Sequence, residues 1–505
     1  MRIAVIGAGP AGLTSAKQAL ADGHDVVVLE KHTDVGGIWN PATGGAYPSV
    51  RMQTSRMAFP FTDFAPLTPT DFPTLAEVHA YLRAYAEHFG VLARVRFGAE
   101  VVGVSKVDGR WRVATASGVE EFDAVMVASG ELWRPRVPAS LPEGVLTAKD
   151  YRAPEPFAGK RVLVVGGGVS GADIAAELAG AAASVDWSIR GRQLFLPRYC
   201  GRSFNDALFS YAGRVALEDM PYRDYLAWLE QLMPEYMRAY RATGLLPEDG
   251  FHGAVHVNEK IIPLVHRRAV TPRPAFAAFG GKTGAVEFAD GTVEDYDSVI
   301  FCTGYEMPDY EFLDGFRRED LYEHHFHRID PTLAVINTPV DTEAFGTACP
   351  YFEAIAGWVL AVWAGRARLP GVRERSGWCA ENMAALSDKR YLDCWLETIR
   401  FRALSGDLPD PATDFAEYWT VVAGVVAPAN LRTPVPARAA HDLEVDVTGV
   451  RRRVLAGLPE RARDVLLARA QITPADHAAA ALVAPDRVLD PALPYRQRAR
   501  VGSRR

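Results

Sequence analysis

The chain has 505 residues, a formal net charge of -7, 49% hydrophobic and 23% charged residues. That length exceeds one ordinary core and predicts two or three domains, and the acidic balance gives no case for nucleic acid or an anionic membrane surface as partner. Five scattered cysteines (Cys200, Cys302, Cys349, Cys379 and Cys394) with no Cys-x-x-Cys pair argue against a disulfide framework, a zinc site or a redox dithiol and for a reducing, cytoplasmic setting, and the longest apolar stretch, around Ala354–Gly365, is too short to span a bilayer.

The chain opens on a strand-like run, Ile3-Ala4-Val5-Ile6, followed by Gly7-Ala8-Gly9-Pro10-Ala11-Gly12 and an Ala-rich helical stretch. In such a turn the first glycine permits a tight bend and the second lets backbone approach a pyrophosphate. The third lets the helix pack closely on the strand, and the helix N-terminus faces the anion. The next strand, Val26-Val27-Val28-Leu29, ends at Glu30, 18 residues after Gly12. An acidic residue there accepts ribose hydroxyls and repels a 2′-phosphate, which points to FAD. A loop region over about 31–72 follows, then a helix from about Leu75 to Phe89, strands near Val101–Val107 and Trp111–Thr115, and a buried strand, Ala124-Val125-Met126-Val127-Ala128, meeting the cofactor at Ser129-Gly130. Pro135 and Pro138 mark a connection.

A second fingerprint follows Val162-Leu163-Val164-Val165: Gly166-Gly167-Gly168-Val169-Ser170-Gly171. Its next strand ends Trp187-Ser188-Ile189-Arg190, with Arg190 lying 19 residues after Gly171 and Arg192 close behind. Guanidinium groups hold a 2′-phosphate bidentately, so this site reads as NADPH, with Ser188 as a third contact. The run Ser298 to Tyr305 is expected to rejoin the first domain, leaving the NADPH unit inserted. The expected division is 1–150 and 296–370 for the FAD-binding domain, 155–295 for the NADPH-binding domain, and 371–505 for a mainly helical extension with short helices near Val454, Leu455 and Leu458. The fold class is α/β, with two Rossmann-like units plus that extension. His324-His325-x-His327 is the one histidine cluster, and it reads as a loop; no metal site is expected.

With both fingerprints placed, the chain resembles the class B flavin monooxygenases, above all the flavin-containing monooxygenases that oxygenate nitrogen or sulfur. The blocks that carry the resemblance are Gly36-Gly37-Ile38-Trp39, Tyr47–Phe64, Phe157-x-Gly159-Lys160-Arg161-Val162 into Ser170-Gly171-Ala172-Asp173, Thr303-Gly304-Tyr305, and Pro350-x-x-Glu353 with Trp358. The resemblance implies cofactor contacts at Gly37, Ile38, Trp39, Met52, Gln53, Thr54, Val101, Ser129, Ala172, Asp173, Thr303 and Gly304, beside the fingerprint residues. It also implies that NADPH reduces FAD, that the reduced flavin and O₂ form a flavin hydroperoxide, and that a soft nucleophile of a small-molecule substrate takes the oxygen. Many relatives carry Asn where Gln53 stands, an amide over the flavin, so Gln53 is the candidate catalytic residue. The sequence departs from the family at Leu141–Tyr151, where Thr147 replaces a histidine of the family motif, and in the tail beyond 370. The leading reading is N-hydroxylation of an amine or amino acid. Baeyer–Villiger oxidation of a ketone, and a redox-sensing flavoprotein acting through its tail, stay open. So does a homodimer built on that tail.

Overall fold

The computed structural model describes residues 1–64, 68–139, 141–142, 144–200, 203–206, 221–250, 255–281, 284–337, 348–387 and 394–409, with positions 418, 421 and 431. The expectations for the short helices near Val454 and for the rest of the far tail lie outside the described residues.

Strand Arg2–Ile6 pairs in parallel with Asp25–Leu29 on one side and Ala124–Val127 on the other. All three are Val/Ile-rich and buried on nearly every position, the composition of a parallel sheet covered on both faces. Between the first two lies helix Pro10–Ala21, with a proline at its first turn, where no backbone donor is lost. The sheet has seven strands, and its far side is built by Leu321–Tyr322, Phe326–His327 and Leu333–Val335, the last parallel to Ala124–Val127. Helix Leu75–His88 is fixed at its start by a reciprocal capping box between Thr74 and Glu77.

The second sheet orders Thr271–Arg273, Ser184–Ser188, Arg161–Val165, Ser298–Phe301 and Leu146–Thr147, all parallel. Here the structure corrects the sequence reading at both seams. Strand Ser298–Phe301 does not rejoin the first sheet. It pairs with Arg161–Val165, and Leu146–Thr147 adds to its other edge. A buried apolar strand carries no mark of which sheet will take it, so the composition of 298–301 left this undecided. The chain passes to the first sheet only beyond Gly304. Each sheet carries its own three-stranded antiparallel meander, Val101–Val107, Arg110–Thr115 and Gly118–Phe122 in the first unit, and Phe276–Phe279, Ala285–Phe288 and Val293–Asp295 in the second.

Helix Ala348–Trp363 packs on Pro10–Ala21, and helix Cys394–Ser405 packs on Ala348–Trp363. The rings of Trp358 and Phe401 stack at 5.0 Å and 19°. An ion triad pins the outer helix: Arg400 Nη2 donates to Glu323 Oε2 at 2.5 Å and to Glu397 Oε2 at 3.0 Å, and all three side chains are buried. His325 stands beside it, its Nδ1 2.8 Å from the Val335 carbonyl, with burial lowering its pKa to about 4. The histidine cluster is therefore one wall of a tight hairpin turn, in which Glu323 and His324 adopt positive φ.

Candidate active site

The two fingerprints close in the same way. Gly7 sits at φ 104° and Gly166 at φ 133°, conformations that side chains rarely adopt, and a Cβ on either would meet the carbonyl oxygen of Ala128 or of Cys302 at 2.4 or 2.2 Å. A Cβ on Gly12 would lie 1.9 Å from the Gly7 oxygen, and one on Gly171 2.0 Å from the Gly166 oxygen. These four glycines are required by the protein itself. The middle ones are not. Gly9 and Gly168 have φ of -74° and -86°, open to any residue. A Cβ on Gly9 would come no closer than 3.7 Å to any atom, and one on Gly168 would meet nothing within 4 Å. Both are N-caps that offer no side chain to the first helical N–H groups. Free donors, a positive helix end and space with no packing role fit a bound pyrophosphate at each place.

A cavity of about 570 Å³ joins the two units. Gly7, Gly9, Pro10, Ala11 and Glu30 wall it at the first fingerprint, and Gly37, Ile38 and Trp39 come from the loop beyond. Met52, Gln53 and Thr54 also wall it, as do Val101 and Ser129, the latter just past the strand that pairs with Arg2–Ile6, and Ser170 enters from the second helix. Ala8 is behind the turn; its N–H donates to Glu30 Oε2 at 2.7 Å, while Glu30 Oε1 accepts from His32 N at 2.8 Å. Each carboxylate oxygen keeps a lone pair, so the fixed carboxylate can still accept ribose hydroxyls. Ile38, Trp39 and their neighbours hold their place because Gly36 and Gly37 turn through positive φ.

Several residues named from the sequence stand elsewhere. Asp173 does not wall the cavity. It is partly buried, with Oδ2 accepting from Tyr47 OH at 2.9 Å and Oδ1 from Asn258 Nδ2 at 2.6 Å, and desolvation raises its pKa. Ala172 is buried in the helix core behind the turn. The Ser188 hydroxyl donates to the Pro274 carbonyl at 2.7 Å, leaving no proton for a phosphate. Arg190 and Arg192 are both exposed and lie outside the cavity wall. Thr303 donates to the Arg136 carbonyl, and the Gly304 carbonyl accepts from Arg136 N at 2.9 Å, so this pair shapes the crossing between units. Thr147 binds Asp150 Oδ2 through both its N–H and its hydroxyl, which makes it the start of a tight turn.

The loop at 47–55 is fastened by the other unit. Besides Tyr47 to Asp173, Ser49 Oγ donates to Glu177 Oε2 at 2.6 Å and Ser55 N to Asp206 Oδ2 at 2.6 Å. Arg198 Nε donates to the Met52 carbonyl at 3.3 Å, and Gln53 Oε1 accepts from Val257 N at 3.2 Å. A backbone N–H can only donate, so this contact fixes which end of the Gln53 amide is oxygen and leaves its Nε2 donors for whatever the cavity holds. Beside it, His256 also walls the cavity. Nothing in the sequence signalled His256, Arg198 or Asn258; each is an isolated polar residue with no spacing pattern.

The family model described as flavin-binding monooxygenase-like matches residues 1–402. The chain is 31% identical over 456 residues to flavin-containing monooxygenase 5 of Cavia porcellus, covering 83% of this chain and 82% of the relative. It is 32% identical over 412 residues to dimethylaniline monooxygenase (N-oxide-forming) 2 of Mus musculus, covering 73% and 74%. Among solved structures it is similar to the S-allyl-L-cysteine S-oxygenase from Allium sativum, with a TM-score of 0.55 and 20% identity over 95% of this chain and 97% of that one. It is also similar to cyclohexanone monooxygenase in an open form, with a TM-score of 0.59 and 19% identity over 83% and 98%. The two solved structures establish the fold alone.

Proposed function

The chain belongs to the flavin-binding monooxygenase-like family and is an FAD-dependent NADPH monooxygenase, and on that premise we propose that it hydroxylates the nitrogen of a primary amine or amino acid. When bound, reduced FAD activates O₂ and supplies one oxygen atom to a soft nucleophile. The protein's part is binding, orientation and exclusion of water. The uncapped helix start after Gly9 and the Glu30 carboxylate would hold the flavin nucleotide. The matching start after Gly168, with Arg190 and Arg192 near the end of strand Ser184–Ser188, would hold NADPH. Gln53 would direct its Nε2 donors into the space between them.

The observation that supports nitrogen is the 32% identity, over about three quarters of each chain, with an enzyme named for forming N-oxides. Only a neutral amine is nucleophilic, and near neutral pH all but about one free primary amine in a thousand carries a proton. The Gln53 amide, a neutral group in the cavity wall, can hydrogen-bond the uncharged form without demanding a charge on it. The test is a panel of amines, amino acids, sulfides and ketones scored as product per NADPH consumed. Tight coupling with a primary amine supports the reading; tight coupling with a ketone overturns it. Among the described residues no helix is long and apolar enough to cross a membrane.

Two outcomes are expected at named residues. Gln53→Ala lowers coupling more than it slows flavin reduction, with more hydrogen peroxide released per NADPH, because the amide shapes the pocket and not the hydride's driving force. Stopped-flow reduction rates with a peroxide assay separate the two. Arg190→Ala lowers the preference for NADPH over NADH in kcat/KM by about tenfold, since one charge-assisted bond to phosphate contributes about 1.5 kcal/mol, the low end of its range, at an exposed site. The change falls mainly in KM and shrinks with added salt.

A further inference from the structure

The strand Val255–Val257 brings a histidine into the cavity at the place where the two units meet. Its position is tightly fixed. His256 pairs with Phe195 in a parallel ladder. Asn258 N donates to the Leu196 carbonyl at 2.9 Å, and the Asn258 side chain accepts from Lys260 N and Ile261 N at 2.8 Å each while donating to Asp173. The residue after it, Val257, holds Gln53. The same cavity is walled by Val169 and Ser170, at the start of the second fingerprint helix, and by Gly9 and Pro10 of the first. Hydride transfer requires the reactive rings of the two dinucleotides to meet, and Gln53 and His256 wall the same cavity that the starts of both fingerprint helices wall.

The imidazole is partly buried, 5.3 Å from the Phe195 ring, and its Nδ1 is sealed from solvent without a hydrogen-bond partner. Burial lowers its pKa to about 4, so it is neutral at physiological pH. A neutral imidazole carries one proton. Placed on Nδ1, that proton would be a buried donor with no acceptor; placed on Nε2, it can reach a ligand in the cavity. His256 is thus a fixed, uncharged donor at the junction of the cofactor sites, and no protein group uses it.

We propose that His256 is the residue by which the second unit holds the nicotinamide half of NADPH at the flavin, its Nε2–H donating to the carboxamide oxygen. The proposal rests on the assignment of the cavity to both cofactors. It is tested on the full-length, FAD-loaded protein as wild type, His256→Leu and His256→Gln. Binding of NADP⁺ and of 2′,5′-ADP, which has the phosphates but no nicotinamide, is measured by calorimetry. His256→Leu is expected to raise the Kd for NADP⁺ about tenfold, equivalent to about 1.4 kcal/mol, and to leave 2′,5′-ADP within twofold. His256→Gln, which restores an N–H donor, recovers most of the loss. Equal weakening of both nucleotides would make His256 a structural residue and overturn the proposal. Unchanged NADP⁺ binding with a raised KM for the amine would assign the donor to substrate and overturn it equally. Wild type binding neither nucleotide would instead overturn the cofactor assignment beneath it.

Discussion

Gly168→Ala should leave the protein folded and yellow while weakening NADPH at least about 100-fold. The φ of -86° suits alanine, and the added methyl meets no protein atom within 4 Å. Losing the weak N-cap preference of glycine over alanine costs about 1 kcal/mol or less, and the reduced freedom of the unfolded chain offsets part of it. The ligand suffers differently. A methyl at the mouth of the helix holds a pyrophosphate off the backbone N–H groups, and each hydrogen bond to a charged group contributes about 1.5–3 kcal/mol, so two lost bonds amount to about 3 kcal/mol or more. Gly171→Ala is the matching control with the opposite cause: its methyl would sit 2.0 Å from the Gly166 oxygen, and it should lose folded protein outright. Thermal melts, flavin absorbance and NADP⁺ titration on the two variants read the difference. A Gly168→Ala protein that melts early, or that binds NADP⁺ as the wild type does, would remove the ligand explanation for that glycine.

Arg400→Met should cost about 3–5 kcal/mol of stability, the range for stranding buried charges by removing their partner. Glu323 and Glu397 would lose the guanidinium they share at the buried contact between the outer helix and the hairpin turn. A pair of this kind need not add net stability against an apolar replacement of all its members; the prediction concerns the imbalance. Arg400→Lys keeps the charge but not the planar fork that reaches both carboxylates, so it should fall between. Because Cys394–Ser405 packs on Ala348–Trp363, and that helix on Pro10–Ala21, FAD retention should fall along with the melting temperature. Retained flavin in a destabilised variant would show that the outer helix is decoupled from the nucleotide site.

Much of the site was legible because its causes are local. The turn glycines Gly7, Gly12, Gly166 and Gly171 are dictated by contacts within a few residues or with the adjacent strand, and spacing records such contacts directly. Glu30 was legible for the same reason, as the residue that ends a strand beside the turn. Asp173 was expected as a cofactor contact from its place in the first turns of a phosphate-facing helix; the partners the structure gives it, Tyr47 and Asn258, are 126 and 85 residues away and left no local mark. The bond of Ser188 was equally hidden, since its acceptor, Pro274, directly follows strand Thr271–Arg273, which meets Ser184–Ser188 only in three dimensions. The sheet membership of Ser298–Phe301 was undecidable because parallel strands of either unit are uniformly apolar. His256 had no signature at all, being a lone histidine on a three-residue strand.

The five bonds that fasten residues 47–55 to the opposite unit bear on how such enzymes can be recombined. A chimera that exchanges residues 146–301 for those of a relative respects both sheets, yet it severs the partners of Tyr47, Ser49, Met52, Gln53 and Ser55 in one step. The graft would arrive with a well-formed nucleotide fold and a misplaced amide. Transplanting 47–55 together with 146–301 keeps the interface native, so the exchangeable module in this architecture is a discontinuous one, set by hydrogen bonds and not by sheet boundaries.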